Sequence, residues 1–467
     1  MKKEEIREYY NSTSGSRAKW KKRNWFYHKS LEKYFSFIIP ANARVLELGC
    51  GLGDLLAAMK PLYGVGIDFA PGIIEQARKR YPGLHFLTAD AEEINLGERF
   101  DYIILSDLAG CLWDVQKVFQ NVRKLCHPQT RLVISNYNFL WESVMILGEK
   151  LRIKLPQPRQ NWLSAADLDT LLQLEDFQII TTRHKLLFPK YLPGINFLFN
   201  RLLANLPLVC RLDLVNIIVA RPLFTAGVGH SVSIVVPARN ERGNIENAIR
   251  RTPAFGLSQE FIFVEGHSSD NTWEEMLRVK EAYPDKNIKV LRQSGKGKGN
   301  AVREGFDVAT GEVLMILDAD LTMPPEELEK FYMAIHQKKG EFINGCRLVY
   351  PMEKDSMRFL NFLANKLFGM FFTYLLGQRL KDTLCGTKVL FKRDYEAIRA
   401  NRPYFGEFDP FGDFDLLFGA AKLNLKITEI NIRYRDREYG STQISRFKHG
   451  WLLIRMSLFA ARKMKFI

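Results

Sequence analysis

Two aspartates near residue 320 carry the strongest chemical signal in the chain. Asp318 and Asp320 are one residue apart and follow the apolar run VLMIL, which is typical of a buried strand. Two carboxylates at the end of a buried strand are unfavourable unless they face a cation. The pair therefore predicts a site for a divalent metal ion, and a metal ion in that position could hold a diphosphate.

A glycine-rich loop precedes the aspartates and is suited to phosphate. Residues 295–301 read GKGKGNA and supply backbone amides and lysine cations at the start of a predicted helix. Such helix starts bind anions. An Asp-x-Asp pair on its own arises by chance, but its position after the strand VSIVVP and after this loop makes the series specific.

A second glycine cluster lies near the other end of the chain. Gly49, Gly51 and Gly53 follow the apolar run VLEL, and Glu47 stands two positions before the first of them. Glycines there permit a tight turn and let the backbone approach a ligand closely. The spacing is GxGxG, which differs from the GxGxxG of dinucleotide-binding enzymes.

Acidic residues end the next two predicted strands of this first region. Asp68 follows YGVGI and is placed to accept hydrogen bonds from ribose hydroxyls. Asp90 and Ala91 follow HFLT and could hold the edge of an adenine. The combination predicts a site for an adenosine-containing ligand.

Two series of alternating strands and helices must position these residues. Short apolar runs alternate with helical stretches such as 71–81 and 115–126, and a second series begins at Val232. This rhythm predicts α/β domains with mostly parallel sheets. The length of 467 residues favours more than one domain. We expect domains at 1–222 and 230–445, followed by a basic amphipathic helix at 446–467.

The first region resembles the class I S-adenosylmethionine-dependent methyltransferases over roughly residues 40–220. The resemblance rests on ELGCGLG and on the acidic ends of the strands that follow. It implies a Rossmann-like fold with S-adenosylmethionine as cofactor, and a domain that binds NAD or nothing is the alternative. It implies that the cofactor is contacted by Glu47, Gly49, Gly51, Gly53, Asp68, Asp90, Ala91 and Asp107, the last of which could instead face the methyl acceptor.

The second region is similar to the family 2 glycosyltransferases of the GT-A fold over roughly residues 230–445, and most of all to enzymes of the dolichol-phosphate-mannose-synthase type. The resemblance implies Mg²⁺ or Mn²⁺ on Asp318 and Asp320, with Asp320 catalytic. Glu265 stands where the family usually has Asp, which leaves UDP- and GDP-sugars both open. The residues implied for the nucleotide sugar are Pro237, Arg239, Glu241, Glu265, Lys298, Asp318 and Arg437.

Two further carboxylates, Asp413 and Asp415, precede the apolar helix LLFGAAK. One of them is a candidate catalytic base if the sugar acceptor is a hydroxyl that must lose a proton. A phosphate acceptor needs no base, and helix capping is the alternative role for Asp413. The resemblance implies inverting transfer to a polyprenyl phosphate or to a lipid-linked or cell-surface glycan.

The net charge of +15 indicates an anionic partner. Basic and apolar residues alternate in 358–381 and again in 446–467, so peripheral contact with an anionic membrane is possible, with packing against the core or a homodimer interface as the alternative. No nucleic-acid recognition motif accompanies these charges, and nucleic acid is not expected. Scattered cysteines and no apolar leader segment predict a cytoplasmic protein, with the inner face of the plasma membrane as a peripheral location to test.

The sequence therefore predicts a bifunctional bacterial enzyme with a methyltransferase half and a glycosyltransferase half. Two other hypotheses stay open. In one, the glycosyltransferase is active and the first half is a degenerate scaffold. In the other, the chain is a non-catalytic protein that binds the membrane peripherally.

Overall fold

The computed structural model describes residues 3–157, 160–350, 359–404, 413–437, 439 and 446–465, with no account of the side chains at 359–364, 403, 413 and 446–453. The chain forms two compact units, the first ending at Phe224 and the second spanning Thr225–Lys465. Each unit is built around one seven-stranded sheet with helices packed against it. The predicted α/β fold class is confirmed for both halves.

The N-terminal sheet has the strand order β3-β2-β1-β4-β5-β7-β6. The first five strands of that order are parallel, and β7 runs antiparallel to both β5 and β6. The sheet is therefore mixed at one edge. Its strands are β1 Arg44–Leu48, β2 Tyr63–Asp68, β3 His85–Thr88, β4 Phe100–Ser106, β5 Cys126–Tyr137, β6 Phe177–Lys185 and β7 Val215–Pro222.

Three helices precede this sheet in the chain. The third of them buries Phe35 completely in the core that it shares with the sheet. The predicted helices 71–81 and 115–126 are present, slightly shorter than expected. The helices of the unit are α1 Lys3–Ser12, α2 Ser14–Arg23, α3 Trp25–Ile38, α4 Asp54–Ala58, α5 Pro71–Arg80, α6 Val115–Lys124, α7 Glu142–Lys150 and α8 Ala165–Leu174.

The C-terminal sheet has the order β10-β9-β8-β11-β13-β12-β14. Four strands are parallel from β10 to β11, while β13 is antiparallel to both of its neighbours, β11 and β12. The sheet is again mixed. Its strands are β8 Val232–Ala238, β9 Gln259–Glu265, β10 Asn287–Arg292, β11 Val313–Ile316, β12 Phe342–Cys346, β13 Lys388–Phe391 and β14 Ile427–Asn431.

Helices of the C-terminal unit cover both faces of its sheet, because separate apolar clusters lie on its two sides. The sequence patterns did not identify β6, β12, β13 or β14, which are short or carry polar residues. The helices are α9 Ile245–Arg250, α10 Thr272–Ala282, α11 Lys298–Val308, α12 Leu328–His336, α13 Phe359–Leu376, α14 Lys392–Asn401, α15 Asp413–Lys422 and α16 Arg446–Met464.

The basic C-terminal helix α16 packs one face into the core of its unit. Met456, Ala460 and Met464 recur every four residues, are buried, and join the apolar cluster that contains Phe372 of α13. Leu458 is 65 % exposed on the other face. Packing thus accounts for one face of the helix, while its contact with a membrane stays a prediction.

Ala460 tests this packing. The substitution Ala460→Asp places a carboxylate in the core and should destabilise the C-terminal unit by about 2–5 kcal/mol, whereas Leu458→Asp should cost less than about 0.5 kcal/mol. Urea unfolding of the two variants, followed by circular dichroism, measures the difference. Equal losses in both variants would contradict the packing described.

Candidate functional sites

The glycine turn after β1 adopts a backbone that favours glycine at three positions. Gly49, Gly51 and Gly53 have φ values of 68°, 53° and 80°. A Cβ at Gly49 would lie 2.8 Å from Leu108 Cδ1, and one at Gly53 would lie 2.6 Å from Phe86 Cζ. The turn therefore packs against the side chains of Leu108 and Phe86, and its backbone would be strained with a residue other than glycine.

A cavity of about 710 Å³ opens at the carboxyl ends of β1, β2 and β4. This volume is within the range of small-molecule sites. Gly53 is not among the lining residues and lies immediately before α4, as its N-cap. The predicted cofactor residues that line the cavity are Glu47, Gly49, Gly51, Asp68, Asp90, Ala91 and Asp107.

Asp68 ties the glycine turn to the end of β2. Its Oδ2 accepts a hydrogen bond from the Gly51 amide at 3.1 Å, and its Oδ1 accepts one from the Ala70 amide at 3.0 Å. Burial raises the pKa of Asp68, although these amides oppose the shift. The carboxylate is thus fixed at the cavity wall, where a ribose could meet it.

Glu47 is the least satisfied polar group of the cavity wall. It is 2 % exposed, and its Oε2 has no hydrogen-bond partner among the described residues. Burial raises the pKa of Glu47 to about 8. A buried acceptor atom without a donor is unfavourable. The cavity therefore fits a ligand that brings its own hydrogen-bond donors, as the amino group of S-adenosylmethionine would.

Helix α1 closes the far side of this cavity. Lys3 Nζ lies 2.6 Å from Asp90 Oδ2 and 2.9 Å from Glu92 Oε2. Tyr10 and Arg17 also line the cavity, and the Arg17 guanidinium carbon lies 4.9 Å from the centre of the Tyr10 ring. The sequence gave no signal that this segment would cover the site.

Asp107 anchors a polar cluster on the cavity floor. It has φ 53° and accepts hydrogen bonds from the Tyr27 hydroxyl at 2.7 Å and from Ser135 Oγ at 2.9 Å. The Tyr137 ring lies 5.9 Å from the Tyr27 ring. Burial raises the pKa of Asp107. This carboxylate can orient a hydroxyl or amine and take up its proton.

The rest of the cavity wall is largely apolar. Helix α7 and the residues on either side of it supply several of the apolar lining residues, and space remains beside the predicted cofactor residues for a second, apolar molecule. The apolar residues from this part of the chain are Trp141, Val144, Met145, Leu147, Leu151, Ile153 and Leu155.

In the C-terminal unit, the two predicted metal ligands each face a cation. Lys298 Nζ lies 2.6 Å from Asp318 Oδ1. Arg437 donates to Asp320 Oδ2 at 2.7 Å and to Glu241 Oε1 at 2.9 Å. The structure thus brings five of the predicted residues together from loops far apart in the chain.

The pKa values of Asp318 and Glu241 shift in opposite directions. Burial alone would raise the pKa of Asp318, but the cations Lys298, Lys388 and Arg347 outweigh it and hold the pKa below its usual value. Burial raises the pKa of Glu241 to about 7, even though Arg437 opposes the shift. Asp318 is therefore held as an anion.

The loop before β13 approaches Asp318 and Lys298 closely at Gly386. A Cβ at Gly386 would lie 1.9 Å from Asp318 Oδ2 and 2.3 Å from Lys298 Nζ. Asp382 holds this loop through a two-point ion pair with Arg347, at 2.7 and 2.8 Å. Arg347 was not predicted as a site residue, because no local pattern connects it to Asp382.

The remaining predicted nucleotide residues lie at the ends of β8 and β9. Glu265 is buried, and its Oε1 accepts a hydrogen bond from the Ser268 amide at 2.5 Å. Pro237 is partly buried in β8, and Arg239 is exposed just after it. A Cβ at Gly266 would lie 3.3 Å from Arg239 Cβ, so the two strand ends are adjacent.

The donor set for a metal ion consists of two carboxylates. Among the described residues, no cluster of three or more His, Cys, Asp or Glu side chains is arranged to hold a metal. Mg²⁺ commonly binds through one or two carboxylates together with substrate phosphates and waters. Asp318 and Asp320 fit that pattern, and the metal site stays a prediction.

The two candidate catalytic bases, Asp413 and Asp415, lie at or near the start of α15. Asp415 is buried and accepts from Arg402 Nε at 2.9 Å within the unit. Asp413 begins α15, and its side chain is outside the described residues. The catalytic role of either carboxylate stays a prediction.

Comparison with protein families finds a matching family model in each half of the chain. Residues 39–176 match the model of a methyltransferase domain. Residues 233–398 match the model of glycosyl transferase family 2. The chain joins a methyltransferase domain to a family 2 glycosyltransferase domain. The predicted resemblance is confirmed for both halves.

Sequence relatives match the glycosyltransferase domain. A dolichol-phosphate mannosyltransferase of Pyrococcus furiosus is 34% identical over 36% of this chain and 49% of its own length. An undecaprenyl-phosphate 4-deoxy-4-formamido-L-arabinose transferase of Pectobacterium carotovorum is 29% identical over 47% of this chain and 64% of its own length. The chain thus spans about half to two thirds of the length of these relatives.

Solved structures with low sequence identity also resemble the chain. A methyltransferase of Thermotoga maritima, described as a possible histamine N-methyltransferase, aligns at 17% identity with a TM-score of 0.37, over 46% of this chain and 98% of its own. Glucosyl-3-phosphoglycerate synthase of Mycobacterium tuberculosis aligns at 16% identity with a TM-score of 0.36, over 50% of this chain and 80% of its own.

Gly386 tests the close approach at Asp318. The substitution Gly386→Ala inserts a methyl group where two charged atoms lie, and should destabilise the C-terminal unit by about 1–3 kcal/mol. Gly227→Ala is the matched control, because nothing lies within 4 Å of its added methyl. Denaturant unfolding distinguishes them, and an unaltered midpoint for Gly386→Ala would contradict the geometry.

Proposed function

We propose that the protein is a bifunctional enzyme. Its N-terminal domain transfers a methyl group from S-adenosylmethionine, and its C-terminal domain transfers a sugar from a UDP- or GDP-sugar with inversion and a divalent metal ion. The observation that carries the second activity is the convergence of Lys298, Asp318, Asp320 and Arg437 on one loop cluster. The cavity around Glu47 carries the first.

In the N-terminal domain, the residues chiefly bind and orient. S-adenosylmethionine supplies an electrophilic methyl group when bound. Asp68 would hold the ribose of the cofactor, and Glu47 would accept a hydrogen bond from its amino group. An acceptor hydroxyl or amine placed against Asp107 passes its proton to that carboxylate, whose raised pKa favours proton uptake. Alignment of the acceptor with the methyl group supplies the remaining rate enhancement.

In the C-terminal domain, the site stabilises the nucleoside diphosphate that leaves the sugar. Asp318 and Asp320 would hold a divalent cation, which would supply positive charge to a leaving diphosphate. Lys298 and Arg437 contribute further positive charge at the same place. An acceptor oxygen forms a bond to the anomeric carbon as the bond to the diphosphate breaks, so that the configuration at that carbon is inverted.

The acceptor of the sugar is proposed to be a polyprenyl phosphate or a lipid-linked or cell-surface glycan. The names of the two relatives point to dolichol phosphate and undecaprenyl phosphate as their own acceptors. A phosphate acceptor is already an anion and needs no base. Asp413 and Asp415 are proposed as bases only for a hydroxyl acceptor.

The scaffold alternative for the first domain is disfavoured by two features of the cavity. Its volume is adequate for a cofactor, and a buried Glu47 oxygen without a donor is unfavourable in a domain that only supports its neighbour. The non-catalytic alternative is disfavoured by Gly386, which leaves space for Asp318 that a purely structural loop would not require.

We further propose that the enzyme works in a bacterial cytoplasm, at the inner face of the plasma membrane. All six cysteines are free, which suits a reducing compartment. The net charge of +15 suits an anionic membrane surface.

A separate observation concerns membrane-spanning segments. None of the helices formed by the described residues combines the length and the apolar character needed to cross a bilayer.

Ligand stabilisation tests both activities in the purified full-length chain. S-adenosylhomocysteine and one of UDP or GDP with Mn²⁺ should each raise the thermal midpoint, because a ligand at about 100 times its Kd adds about 2.7 kcal/mol. The nucleotide effect should disappear without the metal. A flat response to every nucleotide with Mn²⁺ present would argue against the glycosyltransferase, and a flat adenosyl response would favour the scaffold.

Reciprocal variants separate the two sites. Asp68→Ala should weaken S-adenosylhomocysteine binding at least about tenfold, because it removes the ribose contact and loosens the glycine turn. Asp320→Asn should abolish the metal-dependent nucleotide response. Each variant serves as the control for the other in calorimetric titrations. Loss of both ligands in either variant would indicate unfolding rather than a local effect.

A further inference from the structure

An exposed apolar surface surrounds the cavity of the methyltransferase domain. Nearly half of the large hydrophobic side chains that are exposed in the described residues fall in two short stretches, 139–153 and 191–212, which we call the apolar rim. Its exposed members are Phe139, Leu140, Val144, Ile146, Leu147, Leu151, Ile153, Tyr191, Leu192, Ile195, Phe197, Leu198, Leu202, Leu206, Leu208 and Leu212. Patches of this kind mark interaction sites.

The two stretches of the apolar rim form one surface. Trp141 Nε1 donates to the Leu212 carbonyl at 2.7 Å, and Asn138 Nδ2 donates to the Arg211 carbonyl at 2.8 Å. The Tyr191 ring lies 5.5 Å from the ring of Trp25, which is also exposed. Both stretches therefore meet around the ends of α2 and α3.

The apolar rim is continuous with the cavity. Val144, Leu147, Leu151 and Ile153 are exposed to solvent and also line the cavity. The same cavity is also lined by predicted cofactor residues, including Asp107. A molecule that enters from the rim would reach the methyl-transfer end without leaving an apolar surface.

The charged residues in and just before the second stretch of the rim are all positive. From 186 to 212 the chain has no acidic residue and carries Lys190, Arg201 and Arg211. Helix α2 adds a basic last turn, and its Arg23 donates to the Arg152 carbonyl at 2.7 Å. Apolar and aromatic side chains edged by cations are the composition of surfaces that lie on anionic lipid.

We propose that the apolar rim docks the methyltransferase domain on an anionic bilayer, and that its methyl acceptor is an amphiphile held in that bilayer. The polar group of the amphiphile meets Asp107, and its hydrocarbon chain runs along the wall formed by Val144, Leu147 and Leu151. The claim that the amphiphile accepts a methyl group rests on the proposed function. The docking of the domain on the bilayer does not depend on it.

A bilayer fits the rim better than a second copy of the chain. Two copies that met through residues 186–212 would bring cations against cations, because that stretch contains no carboxylate, whereas the carboxylates of the rim, Glu142 and Glu149, lie in its other stretch. Anionic headgroups supply the missing charge, at about 1 kcal/mol for each Lys or Arg near the surface.

Vesicle flotation of the full-length protein tests the docking. Wild-type protein should float with vesicles of phosphatidylcholine and phosphatidylglycerol and much less with phosphatidylcholine alone. The double variant Phe197→Glu/Leu208→Glu should lower partitioning at least about tenfold, since both side chains are more than half exposed on the rim and neither lines the cavity. Arg201→Gln/Arg211→Gln should lower it on the anionic vesicles.

The matched control is Leu62→Glu/Leu174→Glu, which changes two exposed leucines of the same domain outside the rim, 76% and 61% exposed. It should partition as the wild type does. Equal partitioning of the rim variant and the wild type would overturn the proposal. A wild-type dimer in sedimentation analysis that the rim variant converts to a monomer, with no change in flotation, would also overturn it.

The amphiphile is tested with S-adenosylmethionine and detergent-solubilised lipid extracts from a bacterium, with transfer of a radioactive methyl group as the readout. Label should appear in the organic-soluble fraction, and Leu147→Glu/Leu151→Glu should abolish it while S-adenosylhomocysteine binding is retained. Label only in water-soluble products would overturn the acceptor class. Failure to bind S-adenosylhomocysteine would instead refute the proposed methyl transfer and leave the docking result standing.

Discussion

Both domains depend on the same constraint, which is the placement of buried or partly buried carboxylates at the carboxyl ends of parallel strands. Parallel strands bring these ends to one edge of the sheet, where loops can converge on a ligand. Glu47, Asp68 and Asp107 occupy that edge in the first domain, and Asp318 follows β11 in the second. Because an isolated carboxylate is costly away from water, each must be compensated by donors or cations, and the rest of each site follows from how that is done.

The two domains compensate their carboxylates differently. In the first domain, neutral donors such as the Gly51 amide and the Tyr27 hydroxyl do so, and Glu47 is left with an unpaired oxygen. In the second, Lys298 and Arg437 supply positive charge directly. A site built from neutral donors suits a cationic sulfonium cofactor, whereas a site that gathers cations suits a diphosphate.

The proposed functions share a physical setting. The relatives of the second domain carry names that refer to polyprenyl phosphates, and the first domain has an exposed apolar rim that continues into its cavity. Joining the two activities in one chain is understandable if both act on amphiphiles at one membrane surface, because attachment to that surface raises the local concentration of each acceptor.

The sequence by itself determined the α/β class and the two families, and it predicts the loops proposed to carry the chemistry, because glycine turns and strand-end aspartates are local patterns. It did not reveal the strands β6, β12, β13 and β14, which are short or carry polar residues. It also did not reveal the pairing of Arg347 with Asp382. It also gave no sign that α1 would bring Lys3 to Asp90. Only the tertiary structure decided these features, since contacts between residues distant in the chain depend on packing rather than on spacing.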